Sequence, residues 1–304
     1  MYGQYRTGDA CLEYIKEFYN IEDINVDFFC SLKNYETSQS RLQYNKDTSD
    51  NIQGDTVITS EDELWRQIDN IQKHLSPITL TVCTTEDDNQ FVDTPFSTTS
   101  NASLPAWTNI IMQKQAHECK TDITYDLVVM QRYDVIIAPR NSFKKIVSDL
   151  QGLDTAERHT YSIADKNLLF IDPVDVVRKN HRGIMYPNAQ DLWAIGLGTA
   201  LDVIAYDALE YIPSGHNSIT RNRKFHNGYA MDIHEILGII PAKMNIPKFT
   251  FPMFREDGKT KYPYITITRS TYWEDGDMPN FAKLSDDEIW AMRPDLLKKW
   301  SLGL

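Results

Sequence analysis

Long apolar runs are missing from this 304-residue sequence. Nothing approaches the roughly 20 consecutive apolar residues that a membrane-crossing helix needs. No basic segment followed by an apolar one opens it, so no secretory leader is expected. Cysteine is scarce: Cys11, Cys30, Cys83 and Cys119 are scattered, with no CxxC spacing. Zinc sites and disulfide frameworks need closer pairing, so free, mostly buried thiols in a reducing, intracellular setting are the expectation. Several catalytic signatures are absent as well. His234-Glu235 begins an HExxH zinc motif, but Gly238 stands where the second histidine belongs. There is no Walker loop and no GxSxG elbow, which leaves a nucleotide-dependent phosphotransferase a minor reading. Gly196-Leu197-Gly198 lacks the third glycine of a dinucleotide fingerprint and reads as a turn. Excess positive charge is lacking too. The formal net charge of −12 weighs against broad nucleic-acid or anionic-membrane binding, while leaving room for a local basic groove.

What is present looks like an ordinary globular chain. Hydrophobic residues make up 41% and charged ones 24%, enough for a packed core in one large α/β domain or two small ones. The densest apolar run is Leu127-Val128-Val129-Met130, within the stretch from Tyr125 to Pro139. It reads as a strand buried on both faces, as in a parallel sheet. Arg132 and Asp134 then break the run, with only Tyr133 between them. A charged pair at the end of a buried strand is costly without partners, and open α/β sheets bind ligands beyond the carboxyl ends of their strands. Asp134 is therefore expected to face a ligand, through a metal ion.

Taken in order, the chain alternates strand and helix to about residue 210. Gly3-Gln4-Tyr5-Arg6-Thr7-Gly8 forms a turn leading into a helix with Leu12, Ile15, Phe18 and Tyr19 on one face. Such a turn at a helix N-terminus suits an anion, and an ordinary turn and cap is the competing reading. A nucleotide-binding sheet usually carries an apolar strand ahead of this turn. Here the strand is either supplied elsewhere or shorter than usual. Val26 to Leu32 reads as a second buried strand, and Lys33 to Gly54 as a long polar loop. Ser60-Glu61-Asp62-Glu63 carries capping-box chemistry for a helix with Leu64, Trp65, Ile68, Ile71 and Leu75 as its apolar face. Further strands are expected at 78–82 and 167–171, and helices at 107–120, 141–150, 174–180, 199–211 and 230–237. Short extended pieces surround Phe249, Phe251, Tyr264, Ile265 and Ile267. Ser285-Asp286-Asp287-Glu288 is another capping box. The pattern implies a parallel or mixed sheet with helices on both faces.

The residues that could carry chemistry are the polar ones at strand ends: Arg132 and Asp134, then Asp172, then Asp191, with His226 as an added ligand. Carboxylates with a histidine suit a hard divalent cation, which would neutralise the phosphates of a nucleotide. A strand-end ion pair and a helix-entry aspartate are the plainer alternatives. Two basic clusters, 178–182 and 221–224, are either solvated surface or a cradle for an anion.

The order of these motifs resembles GT-A-fold glycosyltransferases of polysaccharide-synthesis and phage or viral type. The resemblance rests on Gly3-Gln4-x-Arg6, the strand Val26-Asp27-Phe28-Phe29, Tyr125-Asp126-x-Val128-x-x-x-Arg132-x-Asp134, and Asp191-x-Trp193-Ala194-Ile195-Gly196. It covers roughly residues 1–240. It implies a GT-A-like, Rossmann-type mixed sheet over 1–245, with an irregular C-terminal extension, 246–304, packed on the same core. It implies a nucleotide-sugar donor and a divalent cation, Mn²⁺ or Mg²⁺. Gly3, Gln4 and Arg6 fall on the nucleotide side, together with Arg132 and Asp134. Arg132-Tyr133-Asp134 occupies the place of the Asp-x-Asp metal motif, with Arg132 replacing the first acid. Asp134 and His226 become the metal ligands, and Asp191 with Arg132 the catalytic groups, Asp191 acting as general base if the enzyme inverts. The acceptor is a hydroxyl, either of a glycan or of hydroxymethylated cytosine in phage DNA, where arabinose is one sugar such enzymes transfer. The expected location is the cytoplasm, the host's if the chain is viral. A non-catalytic module that binds a sugar nucleotide is the alternative.

Overall fold

The computed structural model describes residues 1–37, 56–84, 104–151, 169–171, 177–179, 185–187, 193–197, 199–211, 248–250, 264–267, 278–289 and 291–292. In chain order the strands are β1 (Tyr2–Gly3), β2 (Phe29–Lys33), β3 (Tyr35–Thr37), β4 (Thr56–Ile58), β5 (Thr79–Cys83), β6 (Leu127–Gln131), β7 (Val135–Ala138), β8 (Leu169–Ile171), β9 (Val177–Lys179), β10 (Met185–Pro187), β11 (Trp193–Leu197), β12 (Lys248–Thr250) and β13 (Tyr264–Ile267). The helices are α1 (Gly8–Tyr19), α2 (Glu61–Leu75), α3 (Leu104–Thr121), α4 (Ser142–Gln151) and α5 (Ala200–Tyr211). Among the described residues, no helix is long and apolar enough to cross a membrane.

The architecture is mixed α/β. Strands β1, β2 and β5 form a parallel sheet in the order β1-β2-β5. A second sheet runs β12-β8-β11-β6, with β11 antiparallel to both its neighbours. One parallel bridge, Tyr2 to Arg132, joins β1 to the end of β6 and so ties the sheets together. Strand β7 pairs with β13, and β3 with β4. The core fills the space between α1, β2, β7 and α4, with Leu12, Ile15, Phe18, Leu32, Ile136 and Phe143 buried. Phe281 and Ile289 join that core from the far end of the sequence. Arg140 secures them: it stacks over Tyr14 at 4.5 Å, ion-pairs with Asp286 at 3.0 Å, and donates to the carbonyls of Phe281, Ala282 and Leu284.

Local signals explain α1, α2 and the turn at 285–288. Ser60 caps α2 by accepting from the Glu63 amide at 3.3 Å. Ser285 and Glu288 cap each other reciprocally, the Ser285 amide donating to the Glu288 carboxylate at 2.7 Å. The amphipathic face of α1 is buried as its spacing predicts. All four cysteines are free, and Cys11, Cys30 and Cys83 are buried.

Six expectations change. Strand β6 is antiparallel to β11 rather than inside a parallel sheet, and Leu127, Val128 and Val129 are only half-buried. The second strand begins at Phe29 rather than Val26. Val26, Phe28 and Leu127 to Val129 all line one open cavity of about 780 Å³ and are only half-buried there. Trp65 is 57% exposed, because the buried line of α2 runs through 64, 68, 71 and 75 and position 65 lies about 100° round the helix. The expected helix over 174–180 contains strand β9 instead, paired with β10; Val177, Arg178 and Lys179 find a ladder partner there. The long polar loop opens as a strand, because β3 and β4 pair into a ribbon. Gly196 and Leu197 lie in β11 rather than in a turn. A Cβ on Gly196 would come within 3.1 Å of Ala200 Cβ and Leu201 Cγ, so the glycine lets α5 pack against the strand.

Candidate functional site

The site is built where β1 and β6 end side by side. After Tyr2, whose register partner is Ser31, the chain must turn sharply into α1. Gly3 makes this possible with φ +105°, a left-handed conformation that L side chains rarely adopt. A Cβ at this position would meet no atom within 4 Å, so the demand is on the backbone and not on space. Gly8 has the opposite reason. A Cβ on it would sit 2.6 Å from the Tyr5 ring, and only glycine lets α1 start there. Arg6 also sits in the left-handed region, at φ 44°, which costs a non-glycine residue roughly 1 kcal/mol. Its side chain accounts for the tolerance. Arg6 Nη1 donates to Asp134 Oδ2 at 2.9 Å, and its Nε donates to Gln4 Oε1 at 2.9 Å.

From the other side, the β6–β7 turn presents Arg132 and Asp134. Arg132 clasps Asp134 with two bonds, Nε to Oδ1 at 2.9 Å and Nη2 to Oδ2 at 2.7 Å. The Asp134 side chain is 1% exposed, and those of Arg6 and Arg132 are 13% and 14% exposed. One buried carboxylate thus fixes the planes of two guanidiniums whose edges approach the surface.

The turn itself is held from behind. Gln131 Nε2 donates to the Val135 carbonyl at 2.7 Å, closing the turn. The Tyr19 hydroxyl donates to Gln131 Oε1, and Trp193 Nε1 donates to that hydroxyl at 3.0 Å. Burial pushes the Tyr19 phenol well above its ordinary pKa, so it stays a donor at neutral pH. Sequence reasoning missed Gln131 and Tyr19. The one signal was a lone amide interrupting an apolar strand.

Gly3, Gln4, Arg6, Arg132 and Asp134 therefore lie together at these two strand ends. Asp191, Asp172 and His226 lie outside the described residues, as does the basic cluster 221–224. Strand β11 starts at Trp193, opposite Gln131 in register, so it begins beside this turn.

The chemistry of the cluster is that of anion recognition. Guanidiniums held in a fixed plane match the oxygens of phosphate. A divalent cation fits less well. Both oxygens of Asp134 already accept from guanidiniums, and a metal would have to displace one. Among the described residues, no group of three or more His, Cys, Asp or Glu could hold a metal. The described residues thus do not make a fit for Mn²⁺ or Mg²⁺ at Asp134. The first turn of α1 is also less open to an external anion than its position suggests. Its own acid, Asp9, supplies a negative charge to the helix start, and takes bonds from Tyr5 at 2.7 Å and Arg66 at 2.9 Å.

No protein-family model matches this chain, and a search of curated proteins gives no match.

Proposed function

We propose that this chain is a nucleotide-sugar-dependent glycosyltransferase in which Arg6 and Arg132 contact the diphosphate of the donor. The observation that carries the reading is the convergence of two turns at adjacent strand ends, locked by the Arg6–Asp134–Arg132 cluster. Ligands of α/β sheets sit at such ends. Asp134 acts here as the brace of the two arginines. In the proposed reaction an acceptor hydroxyl oxygen forms a bond to the anomeric carbon. The bond from that carbon to the diphosphate breaks, and its electron pair leaves with the nucleoside diphosphate, whose charge the guanidiniums stabilise. The acceptor proton goes to a base, for which Asp191 is the proposed group. The acceptor is a glycan or hydroxymethylated cytosine in DNA.

A second reading, a module that binds a sugar nucleotide without turnover, draws support from the engagement of both Asp134 oxygens and from arginine at position 132. The test is calorimetric titration with UDP, GDP and CDP, followed by assay of nucleotide release from the corresponding sugars, with and without Mn²⁺ or Mg²⁺. Binding of one nucleotide, weakened about tenfold or more in Arg132→Gln, supports the shared part of both readings. Release of nucleotide favours the enzyme. A folded protein that binds none of the three nucleotides overturns both.

A further inference from the structure

Asp134 is the carboxylate that the Asp-x-Asp resemblance gives to a metal, and it is the most deeply buried member of its cluster. Its side chain is 1% exposed, against 13% for Arg6 and 14% for Arg132. A group approaching from solvent therefore meets guanidinium edges before it meets the carboxylate. Both oxygens of Asp134 are engaged. Oδ1 accepts from Arg132 Nε at 2.9 Å, and Oδ2 accepts from Arg132 Nη2 at 2.7 Å and from Arg6 Nη1 at 2.9 Å.

A Mg²⁺ ion holds its oxygen ligands at about 2.0–2.1 Å and gives up its water reluctantly. To reach Oδ2 it would displace a guanidinium. It would then stand beside two like charges in a mostly buried turn, where Coulomb repulsion is poorly screened. The three side chains sum to a formal charge of +1, two guanidiniums less one carboxylate. That sign suits an anion. Position 132 matters most here, because an acid there would cost Asp134 the two bonds that Arg132 donates.

We propose that the diphosphate binds as the metal-free anion, with Arg6 and Arg132 supplying the positive charge that a divalent cation would bring. The inference rests on the donor reading above and deepens it, by naming the ionic form in which the donor enters. Both guanidiniums are placed to do this without rearrangement. Arg6 is held between Asp134 and Gln4, its Nε donating to Gln4 Oε1 at 2.9 Å. Arg132 stands on a turn that Gln131 closes through the Val135 carbonyl at 2.7 Å. A guanidinium fixed in one plane offers phosphate two parallel donors at once. A cation already bound to the diphosphate removes negative charge from the ligand, and so weakens what the two arginines recognise.

The test is calorimetric titration of the whole chain with inorganic pyrophosphate, and with UDP, GDP and CDP, each in EDTA and in excess Mg²⁺ or Mn²⁺. Pyrophosphate and one nucleotide should bind in EDTA, and the cations should weaken both about threefold or more. Unchanged affinity also supports the proposal, since no cation is then required. Arg132→Gln should weaken pyrophosphate binding in EDTA about tenfold or more, with circular dichroism showing a folded chain. Should that variant not fold, the comparison of buffers on wild-type protein still decides. A rise in affinity with either cation overturns the proposal. So does pyrophosphate binding that is absent in EDTA, or equal in folded Arg132→Gln. Pyrophosphate bound in EDTA, with none of the three nucleotides bound, sustains the metal-free anion site and overturns the donor reading alone.

Discussion

Two charge clusters are buried among the described residues, and their signs are reversed. At the β6–β7 turn, Asp134 sits between two guanidiniums, at 2.9 Å from Arg6 and 2.7 Å from Arg132. Between α3 and α5, Lys114 sits between two carboxylates, at 2.9 Å from Glu118 and 2.7 Å from Asp202. A buried ion pair seldom stabilises a fold more than a well-packed apolar pair would, so each cluster needs a further reason. The surroundings separate them. Lys114 and Asp202 are 5% and 4% exposed, and their contact joins two helices. The two arginines are more open, stand at strand ends, and come from segments far apart in sequence. The Lys114 cluster fixes how α5 docks. The Asp134 cluster holds two cations at strand ends, where α/β sheets bind ligands.

The largest effect should come from Asp134→Ala. It removes the shared brace and leaves two guanidiniums facing each other in a mostly buried turn. A loss of about 3–5 kcal/mol is expected in urea unfolding. A loss under about 1 kcal/mol would mean that the cluster is not the brace described here. Nucleotide affinity should fall with it, because the planes of Arg6 and Arg132 are no longer fixed.

Next comes Lys114→Met. It strands Asp202, whose Oδ1 is already buried without a partner, although Gln115 still donates to Oδ2 at 3.2 Å. About 3 kcal/mol should be lost. The double variant Lys114→Met/Asp202→Leu should return to within about 1 kcal/mol of wild type, since apolar groups can replace a buried pair. Nucleotide binding should be unchanged in the double variant. If it disappears, the contrast between a docking cluster and a ligand cluster collapses.

These two clusters were not equally legible. Arg132 and Asp134 announced themselves because charge interrupts an apolar run. Their partner Arg6 was placed near the nucleotide only through a short motif, and nothing local shows that a residue 128 positions away closes the ion pair. Lys114 with Glu118 looks like any i,i+4 pair on a solvated helix face, and the sequence carries no sign that Asp202 buries it. The α2 cap and the α1 face were readable because both are local and periodic. The half-burial of β6 is not legible in its own residues, because burial of a strand depends on its neighbour. The neighbour here is two residues long, which no pattern within 127–131 encodes.

A smaller effect should appear at alkaline pH. Burial raises the Tyr19 and Tyr133 phenols well above their ordinary pKa of about 10. The folded chain then keeps protons that the unfolded chain releases. Stability is fully present below about pH 10 and declines as pH rises above it, by about 1 kcal/mol per phenol at pH 11. Urea midpoints at pH 8 and pH 11 measure this. Tyr19→Phe should show a shallower decline, and an equally steep one would remove Tyr19 from the account.

The smallest effect separates the clusters by thiol chemistry. Cys119 is exposed, while Cys11, Cys30 and Cys83 are buried. Burial also pushes the Cys30 thiol up, which slows its reaction further because the thiolate is the nucleophile. Native protein should therefore yield one fast thiol with a disulfide reagent, and all four only in denaturant. Cys30 lies against Tyr133, the residue between Arg132 and Asp134. Loosening the arginine cluster should expose Cys30 before global unfolding, and loosening the Lys114 cluster should not. In Asp134→Ala a second thiol should react under native conditions, whereas in Lys114→Met/Asp202→Leu the count should stay at one. Equal counts in the two variants would mean that Asp134 does not secure the turn above Cys30, and that both clusters serve only to hold elements together.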